Sequence, residues 1–228
     1  MQAMKRFAVY YAPRPGAFAD RAARWLGRDC ATGSDLPQPV LPGIPDPAAI
    51  TRDPRRYGFH GTIRAPFRPA AGADLDRIDA RLAELASRLA PVVCDRLAVE
   101  NLDGFLALTP EGFTGALSAL AAAVVEGTDD LRAPLSEAEI ARRRPESLSA
   151  RQRALLDRWG YPFVMEEFRF HLTLTDRLPA ERAAPVAEVL GAHFAPVLPR
   201  PFVIEDLCLF GEDAENRFHL LHRHALTG

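Results

Sequence analysis

The sequence predicts an α+β fold of two pseudo-symmetric lobes, each an antiparallel sheet with helices on its outer face, around a central cleft. Three observations lead there. A strand, a helix and a strand pair occur in that order twice along the 228 residues. The strand segments alternate apolar and polar positions, so each has one face to bury and one to show. The chain carries 28 basic against 30 acidic groups and is 48% hydrophobic, enough to build a core and too balanced for disorder.

The elements follow in order. Phe7–Tyr11 reads as a first strand, ended by Pro13, Pro15 and Gly16. Phe18–Arg28 reads as a helix with Phe18, Ala22 and Trp25 on one side. Residues 33–55 hold Pro37, Pro39, Pro42, Pro45, Pro47 and Pro54 and form a loop. Gly58–Arg64 is a short strand. Leu75, Ile78, Leu82, Leu85 and Leu89 follow the spacing of an amphipathic helix over 74–90. Arg96–Leu102 and Phe105–Leu108 flank Asp103-Gly104, a hairpin signal. Residues 113–125 form another helix. Ser136-x-x-Glu139 and Ser149-x-x-Gln152 match capping boxes, which predicts two helices in an insert over about 135–159, broken near Pro145. Glu167–Thr175 is a strand, and Pro179 starts a helix to about Phe194 with Val186, Val189 and Leu190 inward. Phe202–Phe210 and Phe218–Arg223 close the chain as an antiparallel pair around the Gly211–Asn216 turn.

The repeat divides the chain into a lobe over about 50–130 and a lobe over about 160–228. Within it, Val99-Glu-Asn-Leu102 reads like Ile204-Glu-Asp-Leu207.

Both halves carry His-x-Thr followed by an apolar residue: His60-Gly61-Thr62-Ile63 and His171-Leu172-Thr173-Leu174. Residues two apart in a strand share a face. His60, Thr62 and Arg64 therefore share one face of the first strand, and Arg169, His171, Thr173 and Thr175 one face of the second. The opposite faces, Phe59, Ile63 and Ala65 in one and Phe168, Phe170, Leu172 and Leu174 in the other, are apolar and expected against helices. The polar faces are left for the cleft.

This set of groups suits phosphodiester cleavage. One histidine can activate water while the other protonates the departing oxygen. Which takes which role is open in the sequence. Threonine hydroxyls can donate to the non-bridging phosphate oxygens, and Arg64 and Arg169 can add charge-assisted contacts. No metal or cofactor is called for. Tyr57 and the proline-rich loop stand next to the first motif, where they are either a lid or plain structure. Arg142-Arg143-Arg144 is either a cap on a distal phosphate or a solvated surface.

The two motifs, with Tyr57-Gly-Phe-His-Gly-Thr-Ile-Arg-Ala-Pro-Phe67, Trp159-Gly-Tyr-Pro-Phe-Val164 and Phe168-Arg-Phe-His-Leu-Thr-Leu-Thr175, resemble the two-histidine (2H) phosphoesterase superfamily. The closer resemblance is to a bacterial branch associated with phosphonate-utilisation operons, a domain of unknown function. In that branch a lysine is expected where this chain has Arg64. The resemblance implies the bilobal RNA ligase-like fold, with His60, Thr62, His171 and Thr173 facing each other across the cleft. It also implies a metal-independent cyclic phosphodiesterase, acting on 5-phosphoribosyl 1,2-cyclic phosphate to give ribose 1,5-bisphosphate. A 2′,3′-cyclic nucleotide or RNA-end phosphodiesterase and a non-catalytic phosphate-binding accessory protein are the alternatives.

Other features exclude more than they suggest. The near-neutral charge speaks against gripping long nucleic acid, though it allows a small phosphorylated ligand. The N-terminus lacks a signal-peptide pattern and no apolar stretch is long enough for a membrane, so the cytoplasm is the expected location. Cys30, Cys94 and Cys208 are odd in number and widely spaced, which predicts free thiols. His219, His222 and His224 read as a solvated terminal strand, since His219 falls on the other face from His222 and His224 and no Asp/Cys cluster stands near them in sequence. Phosphate-loop, dinucleotide and nucleophile-elbow motifs are missing.

Overall fold

The computed structural model describes residues 4–112 and 114–228. Met1–Ala3 and Phe113, the expected start of the helix over 113–125, lie outside the described residues.

Local signals place the helices. Asp74 accepts from the Arg77 backbone N–H and starts α3 (Leu75–Arg88), which buries Ile78, Leu82 and Leu85 as the spacing predicts. Both capping boxes form, at Ser136/Glu139 for α5 (Glu137–Arg142) and at Ser149/Gln152 for α6 (Ala150–Trp159). The remaining helices are α1 (Ala17–Leu26), α2 (Arg52–Tyr57), α4 (Gly115–Gly127) and α7 (Ala180–Phe194). The proline-rich loop is ordered: Ile44, Pro47 and Ile50 are buried, and Gln38 donates to the Trp25 carbonyl and the Thr51 hydroxyl.

The strands are β1 (Arg6–Tyr11), β2 (Gly61–Phe67), β3 (Val92–Cys94), β4 (Arg96–Leu102), β5 (Phe105–Glu111), β6 (Leu172–Thr173), β7 (Phe202–Ile204), β8 (Asp206–Glu212) and β9 (Phe218–Ala225). Seven of them form one antiparallel sheet in the order β4-β5-β6-β2-β1-β8-β9, and β3 pairs with β7 separately. Two expectations need correcting. The strand expected over Glu167–Thr175 shrinks to Leu172–Thr173, because a short 3-10 turn at Met165–Glu167 precedes it. The strand expected over Phe202–Phe210 breaks at Glu205, with its two parts in different sheets.

The same break explains the repeat. β3 and β4 are separated by Asp95 as β7 and β8 are by Glu205. The matching segments are thus Val92–Asp95 and Phe202–Glu205, not Val99–Leu102 and Ile204–Leu207. This alignment also makes the spacing from each histidine to its acidic residue nearly equal.

The hairpins are exchanged between the halves. The β4–β5 hairpin lies against β6, and the β8–β9 hairpin lies against β1 and through it β2. The helices follow: α3 packs on β8 and β9, and α7 on β4 and β5. Each side of the sheet thus draws strands from both sequence segments, 50–130 and 160–228. The two sides meet at one pair, Gly61 opposite Leu172, and the β3–β7 pair repeats the junction with Val93 opposite Val203.

The core contains Trp25, Ile78, Leu82, Leu172, Leu190 and Phe202. Cys30, Cys94 and Cys208 are buried and unpaired. No helix among the described residues is long and apolar enough to cross a membrane.

Candidate active site

The short β2–β6 pairing brings the two motifs side by side. His60 precedes β2 and His171 precedes β6, one residue before the pair that joins the strands. Each ring is fixed in the same way. His60 Nδ1 lies 2.9 Å from the Gly58 carbonyl, and His171 Nδ1 lies 2.9 Å from the Arg169 carbonyl. A carbonyl only accepts, so Nδ1 carries the proton in both and Nε2 is left without a protein partner. His60 lines the cleft, while His171 stands near it, close enough to act on the charge of His60, but is not on its wall. Gly58 is held to glycine at φ 72°, where an added Cβ would run into the Cys30 side chain.

Aromatic rings from the neighbouring strands flank each histidine. Tyr10 on β1 lies 4.0 Å from the His60 ring centroid, and Phe105 on β5 lies 5.6 Å from that of His171. Burial disfavours the charged imidazolium. It pushes His60 down to about 4 and lowers His171 as well, against the opposing pull of the carbonyl bonds; the two histidines also repel when charged, which lowers His60 further. Both rings are therefore neutral in the free protein at neutral pH.

The pH dependence of stability follows in sign. Unfolded, a histidine titrates near about 6.5. Between that value and about 4 the unfolded chain binds a proton that folded His60 refuses. Stability is complete above the unfolded pKa and falls as the pH is lowered through this window. Urea midpoints at pH 7 and pH 4.5 are expected to differ less for His60→Gln than for the wild type. Equal differences in the two proteins would contradict the burial assigned to this ring.

A cleft of about 410 Å³ takes in His60, Thr62 and Thr173, with Tyr57, Thr175 and Asp176 on its wall. Thr62 and Thr173 are half-buried, and among the described residues their hydroxyls bond to no protein group, so both are available to a ligand. Thr175 reaches the cleft, but it is buried and its hydroxyl accepts from the Leu106 N–H at 2.9 Å, which ties β5 to the end of the motif. Tyr57 stacks on Phe218 at 5.0 Å and lies 5.7 Å from His60. Asp176 holds α2 by accepting from the Arg52 and Asp53 N–H groups, both at 2.9 Å, so the loop before the first motif is fixed to the loop after the second.

The two arginines stand elsewhere. A register irregularity between the Val9–Arg64 and Tyr10–Thr62 pairs breaks the alternation of β2. Arg64 is thereby turned out of the histidine cleft into an adjoining cavity, where it is buried against Phe67. Arg169 precedes the two-residue β6, so the alternation does not extend back to it. Its exposed side chain lines a separate recess with Glu100 and Ser118, and only its carbonyl serves His171. The sequence reading missed Arg6, Tyr10, Asp53, Phe105, Tyr161 and Arg177, which line the cleft from distant segments. Tyr161 alone had a signal, in the Trp159–Val164 stretch that carried the resemblance.

One further cluster gathers titratable groups. Asp79 on α3 reaches β9 and lies 2.6 Å from His222 Nδ1 and 2.7 Å from His224 Nε2. This carboxylate, distant in sequence, supplies the acidic partner that the terminal strand was expected to lack. The three groups are close enough to ligate one cation. They also satisfy one another by hydrogen bonds, and the histidines hold Asp79 below the ordinary carboxylate range in spite of its partial burial. His219 pairs instead with Asp213 at 2.7 Å.

Residues 62–219 match a family described as a protein of unknown function, DUF1045. The chain belongs to the DUF1045 family. The match includes Thr62, His171 and Thr173, and begins two residues after His60. The DUF1045 chain is 37% identical over 219 residues to the ribose 1,5-bisphosphate phosphokinase PhnN of Janthinobacterium sp. (strain Marseille), covering 93% of this chain and 48% of that one. It is 38% identical over 208 residues to the protein of the same name from Laribacter hongkongensis (strain HLHK9), covering 91% and 48%. The chain thus spans about half the length of the curated relatives it matches. Among solved structures it is similar to E. coli LigT in its apo form, at 14% identity, 99% coverage of both chains and a TM-score of 0.45. A crystal structure of a phosphoesterase gives 14% identity, 99% and 100% coverage and a TM-score of 0.44.

Proposed function

We propose that the chain is a metal-independent phosphodiesterase of the two-histidine kind that opens a small cyclic phosphate. The observation that carries this reading is the paired arrangement of His60 and His171. Each donates Nδ1–H to a carbonyl two residues back, with a free Nε2 and a free threonine hydroxyl beside it. His60, held neutral by burial, is the base that takes a proton from water. The attacking oxygen forms its bond to phosphorus as the bond to the ribose oxygen breaks. His171, protonated once the phosphate anion is bound nearby, gives its proton to that oxygen. Thr62 and Thr173 donate to the non-bridging oxygens, where charge grows.

The favoured substrate is 5-phosphoribosyl 1,2-cyclic phosphate. Opening at the 2-oxygen leaves ribose 1,5-bisphosphate. The curated relatives are named as kinases of that compound and are about twice this chain's length, while the chain itself has no phosphate-loop motif. The kinase name is best assigned to the half of the relatives that the chain does not span, which makes the two halves successive steps. Phosphorus NMR of the protein with the cyclic ribose phosphate tests this: the cyclic resonance is expected to give way to one new monoester resonance beside that of the 5-phosphate already present. A cyclic resonance that persists for it, while 2′,3′-cyclic nucleotides are consumed, would move the substrate to nucleotides or RNA ends.

Turnover is expected to survive EDTA. Loss on chelation, restored by added zinc or manganese, would overturn the metal-independent step and shift attention to Asp79, His222 and His224.

A further inference from the structure

A cavity of about 580 Å³ adjoins the histidine cleft, and the two share Arg6, Tyr57, Arg143 and Tyr161. Its outer wall is the helical insert, which contributes Glu139, Arg142 and Trp159. The insert is fastened there by Glu139, whose carboxylate takes Arg68 through two bonds of 2.9 Å while completing the capping box of α5.

The charge of this cavity is one-sided. Its carboxylates, Glu139 and Glu212, are each engaged by an arginine, Arg68 and Arg6. Arg56, Arg142 and Arg143 also line it, and among the described residues no carboxylate forms an ion pair with any of them. Arg143 packs on Tyr161 at 4.8 Å. Arg64 adds a cation at the base of the wall. It is 3% exposed; Nη1 donates to the Val125 carbonyl at 2.6 Å, and Nη2 has no hydrogen-bond partner. Its nearest carboxylate, Asp129 at 3.9 Å, is also claimed by Arg132 and Arg158. A chain of net charge −2 thus concentrates unneutralised guanidinium groups beside its histidines. Such a group is destabilised by mutual repulsion and is relieved by an anion, and the planar guanidinium fork matches phosphate oxygens two at a time.

We propose that this cavity is a second phosphate site, which holds a terminal phosphomonoester of the substrate while its cyclic phosphodiester lies between His60 and His171. Arg142 and Arg143 are then specificity residues, and the helical insert exists to present them. The inference rests on the phosphodiesterase reading for the cyclic end alone; the cavity's affinity for a phosphomonoester is independent of it.

Two measurements test it. The first compares kcat/KM for ribose 1,2-cyclic phosphate with and without a 5-phosphate. The wild type is expected to favour the 5-phosphate roughly 100-fold, the scale of two charge-assisted hydrogen bonds. In the Arg142→Ala/Arg143→Ala double variant, altered at the end of an outer helix where the fold is not at stake, the preference should collapse to a few-fold. No preference in the wild type, an unchanged preference in the variant, or faster opening of a 2′,3′-cyclic oligonucleotide would each overturn the proposal. The second is calorimetric titration with ribose 5-phosphate, which should bind the wild type and His171→Ala alike and not the double variant. Binding lost in the double variant, with no cyclic phosphate opened by the wild type, would keep the site and remove the reaction. Hydrolysis indifferent to the 5-phosphate, with no binding of ribose 5-phosphate, would do the reverse.

Discussion

His171→Ala is expected to lower turnover of a cyclic phosphate by about 10²–10⁴-fold, the usual contribution of a positioned acid or base. His60→Ala should do the same. The two losses should not multiply, because acid and base act in one concerted step. Neither ring is hydrogen-bonded into the core: both are half-buried, and each bonds only a neighbouring carbonyl. Circular dichroism and the urea midpoint at pH 7 should therefore stay near wild type while activity is lost. The two variants should also differ in pH profile. Removing the base deletes the acidic limb of the rate profile and removing the acid deletes the basic limb, so any residual activity identifies the roles. Full activity in His171→Ala would end the mechanism.

Gly61→Ala is expected to damage both stability and activity. Gly61 is the middle residue of the first motif and one half of the pair that joins the two sides of the sheet. A Cβ there would overlap the ring of Phe170. That ring has no room to withdraw: it is buried, with Tyr11 at 6.1 Å and Phe202 at 6.0 Å. Overpacking of this kind costs about 1–3 kcal/mol. The strain falls between the two histidines, so a fall in kcat should accompany the lower urea midpoint. Phe170→Leu in the same chain makes space and should restore part of both. An alanine variant as stable as the wild type would show that the two motif strands are not held this closely.

The sequence was most informative where the physics is local. Both capping boxes form at the serines that predicted them, and α3 buries Ile78, Leu82 and Leu85 of the five residues its spacing selected, with Leu75 and Leu89 half-buried at its ends. The motif pair was legible because histidine, threonine and an apolar residue recur at one spacing. What escaped depends on pairing between distant segments. Arg64 was placed by alternation, and an irregularity that only its partner strand reveals moved it to the next cavity. Arg169 was placed on a strand too short to reach it. The repeat was seen in the right order but slipped in register, because its matching strands β3 and β7 are three residues each. Asp79 lies more than half the chain away from the histidines it binds, and no spacing rule connects them.

The exchanged hairpins have a mechanical consequence. The two junctions that join equivalent segments, Gly61 with Leu172 and β3 with β7 centred on Val93 and Val203, define a line through the molecule. Two further ties cross the same boundary: Asp176 accepts from the Arg52 and Asp53 N–H groups, and α4 packs on β2. The sides are thus fastened like the blades of scissors on a pin, with a latch at Asp176 beside the cleft. No single cut in the chain frees one blade, since each is made from both halves.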